Sequence, residues 1–225
     1  MSAIFITGTG TDVGKTFVTA ALIHALRRRG RLVEALKPVT SGFAPSQIAT
    51  SDPGVLLAAL GQDVTPTTLD RITPWRYAAP LSPDMAAKRA GEELDFEALL
   101  AFTRRAISAA SDVLLIEGVG GIMVPLDREH TVLDWMTGLS LPVLLVGGSY
   151  LGAISHALTA IDVLRRRALA ISAMIVDESP HSGVGLDETV ETITRFAGST
   201  TIIGLPRLSD TKADHPALQR LADLL

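Results

Sequence analysis

A glycine-rich segment near the N-terminus constrains the fold of this chain more than any other feature; it reads Gly8-Thr9-Gly10-Thr11-Asp12-Val13-Gly14-Lys15-Thr16. It follows an apolar run at residues 3–7 that is typical of a strand, and it precedes apolar residues at helical spacing from Val18 to Leu26. A strand, a glycine-rich turn and a helix in this order bind phosphate, because backbone N–H groups and the helix dipole attract an anion. The segment therefore predicts an α/β fold with a phosphate-binding loop.

The last residues of this segment indicate which phosphate ligand it binds. In a loop of this kind Lys15 reaches the β- and γ-phosphates of a nucleoside triphosphate, and the Thr16 hydroxyl is a ligand of Mg²⁺. The spacing departs from the usual motif, because Thr9 stands where the first glycine is expected and Gly8 lies one residue earlier. The loop is therefore one residue longer than the standard form, which restricts the set of protein families to which the chain can belong.

Two alternatives to a triphosphate-binding loop are a chance glycine-rich turn and the dinucleotide fingerprint G-x-G-x-x-G. Glu34 lies about 20 residues further on, where that fingerprint places a ribose-binding acid. Val13, however, replaces the third small residue of the fingerprint, and the Gly-Lys-Thr sequence has no role in it. A nucleoside triphosphate is therefore the favoured ligand.

Composition excludes several other classes of protein. A chain of 225 residues with 47% hydrophobic and 20% charged residues fits one α/β domain over residues 1–225. No apolar run approaches the ~18 residues of a membrane span, and the N-terminus lacks the pattern of a secretory signal, so we expect a cytoplasmic protein. The absence of cysteine excludes disulfides, thiolate metal sites and cysteine nucleophiles.

The charge distribution argues against a nucleic-acid or membrane partner. The net charge is −4, and the two arginine runs, at residues 27–29 and 165–167, fall at the ends of predicted helices. Cations at a helix C-terminus interact favourably with the helix dipole and remain solvated. The partners that we expect are therefore small molecules.

Apolar β-branched runs alternate with helical patterns along the whole chain. Strands are predicted at residues 3–7, 32–37, 113–117, 142–146, 170–176 and 201–205, and helices at 15–29, 95–108, 151–167, 187–196 and 216–224. Asp95 and Asp187 are expected to cap their helices. This order predicts a doubly wound, mainly parallel sheet with helices on both faces, similar to P-loop NTPases. Residues 38–83, rich in Pro, Thr, Ser and Gly, are interpreted as a loop-rich insertion.

Further candidate residues follow the second and third predicted strands. Lys37 ends one strand, next to Ser41 and Gly42, and Glu117 ends the other after four apolar residues. The carboxyl ends of parallel strands line the ligand crevice, so Lys37 is expected beside the phosphate and Glu117 beside Mg²⁺. Asp52 is a weaker candidate, since a carboxylate before a proline can equally cap a helix. The histidines show neither metal-ligand spacing nor a recognisable Ser/His/Asp arrangement.

Taken together, these blocks resemble the dethiobiotin synthetase family. The matching blocks are the extended loop ending in Val13-Gly14-Lys15-Thr16, then Lys37–Gly42, Asp52, Pro80-Leu81-Ser82-Pro83, Glu117–Gly121, Leu151–His156 and Gly204–Leu208. They occur in the family's order over nearly the whole chain. The combination is specific to this family.

This resemblance implies an ATP- and Mg²⁺-dependent ring closure in biotin synthesis. Carbon dioxide adds to an amine of 7,8-diaminononanoate, the carbamate attacks the γ-phosphate, and the second amine displaces phosphate from the mixed anhydride. The implied catalytic residues are Lys15, Lys37 and Ser41; the implied metal ligands are Thr16, Asp52 and Glu117. ATP would contact Thr11, Asp12, Val13, Gly14, Lys15, Thr16, Asp177, Pro206, Arg207 and Leu208. The organic substrate would contact Lys37, Ser41, Glu117, Gly120, Gly152 and Ser155.

The family also implies a homodimer in which the helix opening at Gly152 completes the partner's active site. The sequence departs from the family's pattern at three positions. Asp12 stands where the family often has Glu, and Ser155 stands where it often has a longer side chain with an amide group. Asp177 stands where the family usually has the Asn that hydrogen-bonds to the edge of adenine. An ionised carboxylate only accepts hydrogen bonds, whereas Asn also donates, so a broader nucleotide preference is one hypothesis.

Two other functions are alternatives to the one that this resemblance implies. A cobyrinate-type amidotransferase would need a glutaminase domain with a nucleophilic cysteine, which this chain does not supply. A site-determining or partition ATPase would carry an additional lysine early in the phosphate loop, and residues 8–13 contain none. Both remain minor alternatives to a dethiobiotin synthetase.

Overall fold

The computed structural model describes residues 2–180 and 182–225 and centres on parallel β-strands. The strands are β1 (Ser2–Gly8), β2 (Val33–Leu36), β3 (Val39–Ser41), β4 (Trp75–Tyr77), β5 (Val113–Glu117), β6 (Val143–Gly148), β7 (Ile171–Asp177) and β8 (Ile202–Leu205). Six of them form one sheet in the order β2-β5-β1-β6-β7-β8, and every pair in it is parallel. Strands β3 and β4 form a separate parallel pair.

Helices connect these strands. They are α1 (Lys15–Arg28), α2 (Asp52–Leu60), α3 (Pro66–Ile72), α4 (Pro83–Arg89), α5 (Phe96–Ala109), α6 (Val132–Leu139), α7 (Ala153–Arg166), α8 (Leu186–Phe196) and α9 (Pro216–Ala222). A short 3₁₀ helix, Pro45–Thr50, precedes α2. The connections between parallel strands run through helices, as the geometry of a parallel sheet requires.

The apolar side chains of the sheet alternate between two cores. Phe5 packs in one core with residues of α5, α6, α7 and α8, whereas Ile4 and Ile6 pack in the other with residues of α1 and α9. Successive strand residues point to opposite faces, so a strand covered on both sides must be apolar throughout. The predicted doubly wound sheet with helices on both faces is confirmed.

The sheet topology places the phosphate loop at the centre of the molecule. Strand β1 lies between β5 and β6; the chain passes from β1 through α1 to the edge strand β2, and from β6 it continues on the other side to β7. The direction of winding therefore reverses between β1 and β6. Ligands of doubly wound sheets bind outside the carboxyl ends of the strands at such a point.

The interpretation of residues 38–83 as a loop-rich insertion was wrong. This segment contains the β3–β4 pair, the 3₁₀ helix, α2 and α3. Both α-helices begin with proline in the first turn, after Ser51 and Thr65, whose hydroxyls accept hydrogen bonds from the backbone N–H groups of Gly54 and Thr68. Proline fits the first turn because its missing N–H is not needed there.

The predicted ends of the other elements differ from the structure by a few residues, and two helices were missed. Asp95 caps α5 by accepting from the Ala98 N–H at 2.9 Å, as predicted. Asp187 does not cap α8, because that helix begins one residue earlier and Gly185 is its N-cap. Helices α4 and α6 had no predicted counterpart.

Candidate active site

The phosphate loop joins β1 to α1 through a glycine with a left-handed backbone. Gly14 is the N-cap of α1 and has φ of +92°, a conformation that glycine adopts without the steric cost of a side chain. The first N–H groups of α1 therefore point out of the helix end, where an anion can accept them. Lys15 is buried, and its Nζ donates to the carbonyl oxygen of Gly10 at 2.8 Å across the loop.

Four side chains from distant parts of the sequence meet beside this loop. Thr16 donates from its hydroxyl to Oε1 of Glu117 at 2.7 Å. Lys37 donates from Nζ to the same oxygen at 2.8 Å and to the Gly118 carbonyl at 2.8 Å. The ammonium group also pairs with Oδ2 of Asp52 at 2.9 Å. We call Thr16, Lys37, Asp52 and Glu117 the cation cluster.

The charges of this cluster compensate one another. Lys37 is 2% exposed and Glu117 is fully buried, so each charge needs a partner to offset the loss of hydration. Burial alone would lower the pKa of Lys37, but the charges of Glu117 and Asp52 outweigh it and raise the pKa. Burial alone would raise the pKa of Asp52, and the neighbouring ammonium of Lys37 reverses that shift. The lysine is therefore charged at neutral pH.

Lys15 lies in a different electrostatic environment. Burial, reinforced by the positive charge of Lys37, lowers its pKa to about 8, and the nearby carboxylates only partly oppose this shift. A cation that is poorly compensated by its own protein gains most from an anionic ligand. A bound phosphate would therefore stabilise the charged form of Lys15.

The cluster has the donor set of a Mg²⁺ site. Oε2 of Glu117 is buried and makes no hydrogen bond to the residues that the structure describes. A hydroxyl and two carboxylates are the hard oxygen ligands that Mg²⁺ takes, usually with water and substrate phosphates completing its shell. Within residues 2–180 and 182–225, no group of three or more His, Asp and Glu side chains is close enough to hold a metal without such help. The residues therefore fit a metal that enters together with phosphate.

A cleft of about 890 Å³ opens over the loop and the cation cluster. Of the residues singled out in the sequence, it is lined by Thr11, Asp12, Gly14, Lys15, Thr16, Lys37, Ser41, Gly42, Asp52 and Gly120. Glu117, which was also predicted to contact the substrate, is fully buried and does not line the cleft. Sequence reasoning assigned no role to other lining residues, which are Phe17, Pro80, Leu81, Ser82, Pro83, Val119 and Val124. Residues 80–83 were singled out only as one of the blocks that resemble the family, and that resemblance was the available signal for a role in the site.

A second, smaller pocket lies on the other side of the phosphate loop. It has a volume of about 200 Å³ and is lined by Asp12, Val13, Gly14, Phe17, Asp177, Glu178, Ser179, Pro180, Arg207 and Leu208. We call it the base pocket. Of the residues predicted to contact the nucleotide, Thr11, Lys15 and Thr16 line the larger cleft instead, and Pro206 is half-buried and lines neither. Glu178 was not predicted; its Oε2 accepts from the backbone N–H of Arg207 at 2.9 Å and so joins the ends of β7 and β8.

Gly152 and Ser155 do not line the cleft of their own chain. Both are exposed at the start of α7, where Gly152 is the N-cap with φ of +93°. The preceding Leu151 is 93% exposed, which is unusual for a large apolar side chain. Neither residue is therefore placed to contact a ligand bound in that cleft.

The remaining polar groups form no further catalytic arrangement among the described residues. His130 pairs with Asp127 at 2.9 Å and stacks on Phe96, while His156 contacts Tyr150; His181 lies outside the described residues. No helix in the described part of the chain is long and apolar enough to cross a membrane.

Fold comparison supports the class that the topology and the loop indicate. A family model described as an AAA domain matches residues 2–215. The cell-division protein MinD from Pyrococcus horikoshii, solved with Mg-ADP, superposes with a TM-score of 0.59 at 17% identity and covers 99% of this chain and 94% of its own. MinD from Pyrococcus furiosus gives 0.58 at 16% identity, covering 100% and 98%. At these identities only the fold is shared: the protein has the α/β fold of the P-loop nucleotide-binding class.

Sequence comparison identifies the family within that class. ATP-dependent dethiobiotin synthetase BioD from Methylobacterium nodulans is 51% identical over 88% of this chain and 90% of its own length. The enzymes of that name from Phenylobacterium zucineum and Caulobacter vibrioides are 50% and 45% identical and cover 92% and 100% of this chain, and 89% and 99% of their own lengths. The chain belongs to the dethiobiotin synthetase family.

Proposed function

We propose that this protein is an ATP-dependent cyclo-ligase that closes the cyclic urea of dethiobiotin from 7,8-diaminononanoate and carbon dioxide. The observation that carries this proposal is the position of Lys37 between a phosphate loop and an open cleft, with its charge held by Asp52 and Glu117. The site-determining and partition ATPases carry their additional lysine within the phosphate loop, whereas Lys37 follows β2 and lines the cleft. The identity of 45–51% to relatives named for this reaction supports the same conclusion.

The proposed chemistry has three steps. One amine of the substrate adds to carbon dioxide and loses a proton, which gives a carbamate. A carbamate oxygen attacks the γ-phosphorus of ATP and displaces ADP, forming a carbamic–phosphoric anhydride. The second amine attacks the carbamoyl carbon, phosphate leaves, and the amine proton passes to solvent.

The main obstacle is the repulsion between a carbamate and a triphosphate. Lys15 and Lys37 lie in one cleft and supply the positive charge that brings two anions within reacting distance. Ser41 lines the same cleft and offers a hydroxyl beside Lys37, so we assign it to the carbamate. Thr11 and the loop N–H groups would hold phosphate oxygens.

We further propose that Thr16, Asp52 and Glu117 hold Mg²⁺. The buried Oε2 of Glu117, which has no partner within the described residues, supports this assignment. When bound, Mg²⁺ neutralises charge on the triphosphate and fixes its orientation. Lys37 contacts Oε1 of Glu117 and Oδ2 of Asp52, which leaves Oε2 of Glu117 for a metal.

The organic substrate is proposed to lie along the cleft wall formed by Lys37, Ser41 and Gly120, with Glu117 fully buried behind Lys37. Gly120 has φ of +59°, and a side chain there would contact Val124 at 2.6 Å, so the wall depends on glycine. The tail carboxylate is proposed to meet the free N–H groups at Gly152, beside Ser155, on a partner subunit. The protein would then act as a cytoplasmic homodimer whose active sites are shared.

The shared site makes a separate prediction. Leu151→Asp adds a charge at an exposed apolar position and is expected to convert dimers into monomers with little activity, as measured by sedimentation and by dethiobiotin formation. A wild-type protein that sediments as a fully active monomer would exclude a shared site but not the reaction.

The whole proposal is tested by phosphate release from ATP with and without diaminononanoate and bicarbonate. Release that depends on both compounds, with dethiobiotin formed in equal amount, is the expected result. Hydrolysis that is indifferent to both compounds would overturn the proposal.

A further inference from the structure

The base pocket lies where the base of a bound nucleotide must extend. It shares Asp12, Gly14 and Phe17 with the catalytic cleft but opens on the opposite side of the phosphate loop from Lys37. Lys37 and Asp52 line the larger cleft, so a nucleotide that places its γ-phosphate beside them directs its base toward the smaller pocket on the loop's other side. This inference rests on the proposed function, because it concerns which nucleoside triphosphate supplies the phosphoryl group.

Asp177 is positioned to contact that base. It is the last residue of β7, and its carboxyl lies directly against the phosphate loop: a side-chain carbon on Gly14 would lie only 2.1 Å from Oδ2. The carboxyl makes no hydrogen bond to any of residues 2–180 and 182–225. A carboxyl in a half-buried pocket without a protein partner leaves its hydrogen-bonding capacity to a ligand.

The charged groups around this carboxyl oppose one another. Burial raises the pKa of Asp177 to about 7; Arg207, at the end of β8, opposes the shift, and Glu178 adds to it. From the phosphate loop, Asp12 contributes a second carboxylate to the same pocket. The carboxyl therefore exists in both protonation states near neutral pH, unlike the paired carboxylate of Asp52.

The two states have different hydrogen-bonding patterns. A neutral carboxylic acid has one donor and one acceptor, which matches the amino group of adenine and its adjacent ring nitrogen. A carboxylate has only acceptors, which matches the N1–H and amino group of guanine but leaves the adenine ring nitrogen facing a negative charge. We propose that Asp177 selects the base of the nucleotide substrate through its protonation state, favouring ATP when neutral and GTP when ionised.

The direct test is the ratio of kcat/KM for ATP to that for GTP as a function of pH. Between roughly pH 6 and pH 8.5 the neutral fraction of an acid with a pKa near 7 falls more than tenfold, so the ratio is expected to fall by at least about tenfold. Using a ratio removes the effects of pH on the diamine, on carbon dioxide and on Lys15, which act equally on both nucleotides. A ratio that is constant with pH would overturn the inference.

Variants of the base pocket provide the second test. Asp177→Asn has one donor and one acceptor at every pH, so its ratio is expected to favour ATP and to be independent of pH. Glu178→Gln removes a charge that disfavours ionisation, so the midpoint is expected to move to lower pH. Asp70→Asn, which changes an exposed carboxylate on α3, is the control and should behave as wild type. A pH-dependent ratio that survives in Asp177→Asn would contradict the assignment.

Binding measurements separate this inference from the proposed function. Dissociation constants of ADP and GDP, measured by calorimetry at both ends of the pH range, are expected to change in opposite directions for wild type and not for Asp177→Asn. If no nucleotide supports dethiobiotin formation, the proposed reaction fails. The binding result would still decide the role of Asp177.

Discussion

The two sides of the phosphate loop treat buried charge differently. In the cation cluster, Lys37 satisfies Asp52 and Glu117 within 3 Å, so protonation states are set by the protein itself. In the base pocket, Asp177 is half-buried and has no hydrogen bond to any described residue, and burial raises its pKa to about 7. The charges of Lys37 and Asp52 are held by each other and by Glu117, whereas the carboxyl of Asp177 is left to a ligand.

The largest expected effect comes from removing the cation on the cleft side. Lys37→Ala leaves the buried carboxylate of Glu117 and the half-buried carboxylate of Asp52 without their partner and removes the charge that faces the carbamate, so dethiobiotin formation is expected to fall by about a thousandfold or more. ATP binding, measured by calorimetry, should change by less than about tenfold, because Lys15 and the loop remain. Lys88→Ala, at an exposed position on α4, is the matched control. Near-normal turnover by Lys37→Ala would show that the cluster is only structural.

A second effect concerns the metal. Glu117→Gln keeps the shape of the side chain but removes its charge, and Mn²⁺ binding in the presence of ADP is expected to weaken by roughly a hundredfold. Electron paramagnetic resonance measures the free Mn²⁺ directly, without reference to turnover. Glu97→Gln on α5 is the control, and circular dichroism verifies that both variants fold. Unchanged Mn²⁺ affinity would remove Glu117 from the metal site.

Lys15 is expected to make the affinity for a phosphate chain depend on pH, independently of Asp177. Its pKa of about 8 means that it is charged below that pH and neutral above it, so affinity for a phosphate chain should fall as pH rises through 8. Inorganic tripolyphosphate, which has no base, is the appropriate probe, and the expected loss is about tenfold. Lys15→Arg keeps its charge at all these pH values and should abolish the dependence. Affinity that rises with pH would contradict the prediction.

The smallest expected effect concerns the contact between Gly14 in the phosphate loop and Asp177 in the base pocket. Gly14→Ala introduces a side chain at a left-handed backbone position and should lower the free energy of unfolding by about 1–3 kcal/mol from strain alone. The new carbon also collides with Asp177, so the loss should be about 1 kcal/mol smaller in an Asp177→Ala background. Urea denaturation of the four proteins completes this double-mutant cycle. Equal losses in both backgrounds would mean that the two residues are not coupled.

Part of this architecture could be predicted from local sequence patterns. The strands of the large sheet and the helices α1, α5, α7, α8 and α9 have the periodicities that burial imposes, and all were expected. Helices α2 and α3 were missed because residues 38–83, rich in Pro, Thr, Ser and Gly, were interpreted as loop, and α4, which begins at Pro83, had no predicted counterpart. The combination of Ser or Thr followed within two residues by proline was a start signal, visible at Ser51, Thr65 and Ser82.

The separate strand pair could not have been predicted from local patterns. Val39–Ser41 and Trp75–Tyr77 are three-residue strands that pair across a long sequence separation. Such short strands have no periodicity of their own, and pairing between distant segments depends on the fold that brings them together.

The sequence by itself determined the kind of ligand and the residues available for chemistry. A strand, a glycine-rich turn, Lys15 and Thr16 specify phosphate binding through local geometry alone, since backbone N–H groups and a helix terminus form within one continuous segment. The positions of Lys37 and Glu117 at the carboxyl ends of predicted parallel strands also indicated that both residues lie at the same crevice.

Only the tertiary structure determined which of these charged side chains pair with one another, and therefore which protonation states they adopt. Lys37 and Glu117 are 80 positions apart, and their 2.8 Å contact exists because β2 pairs with β5. The same folding leaves Asp177 beside Gly14 without a hydrogen-bond partner among the described residues. Burial and the distance to neighbouring charges determine a protonation state, and both quantities arise only when distant segments pack together.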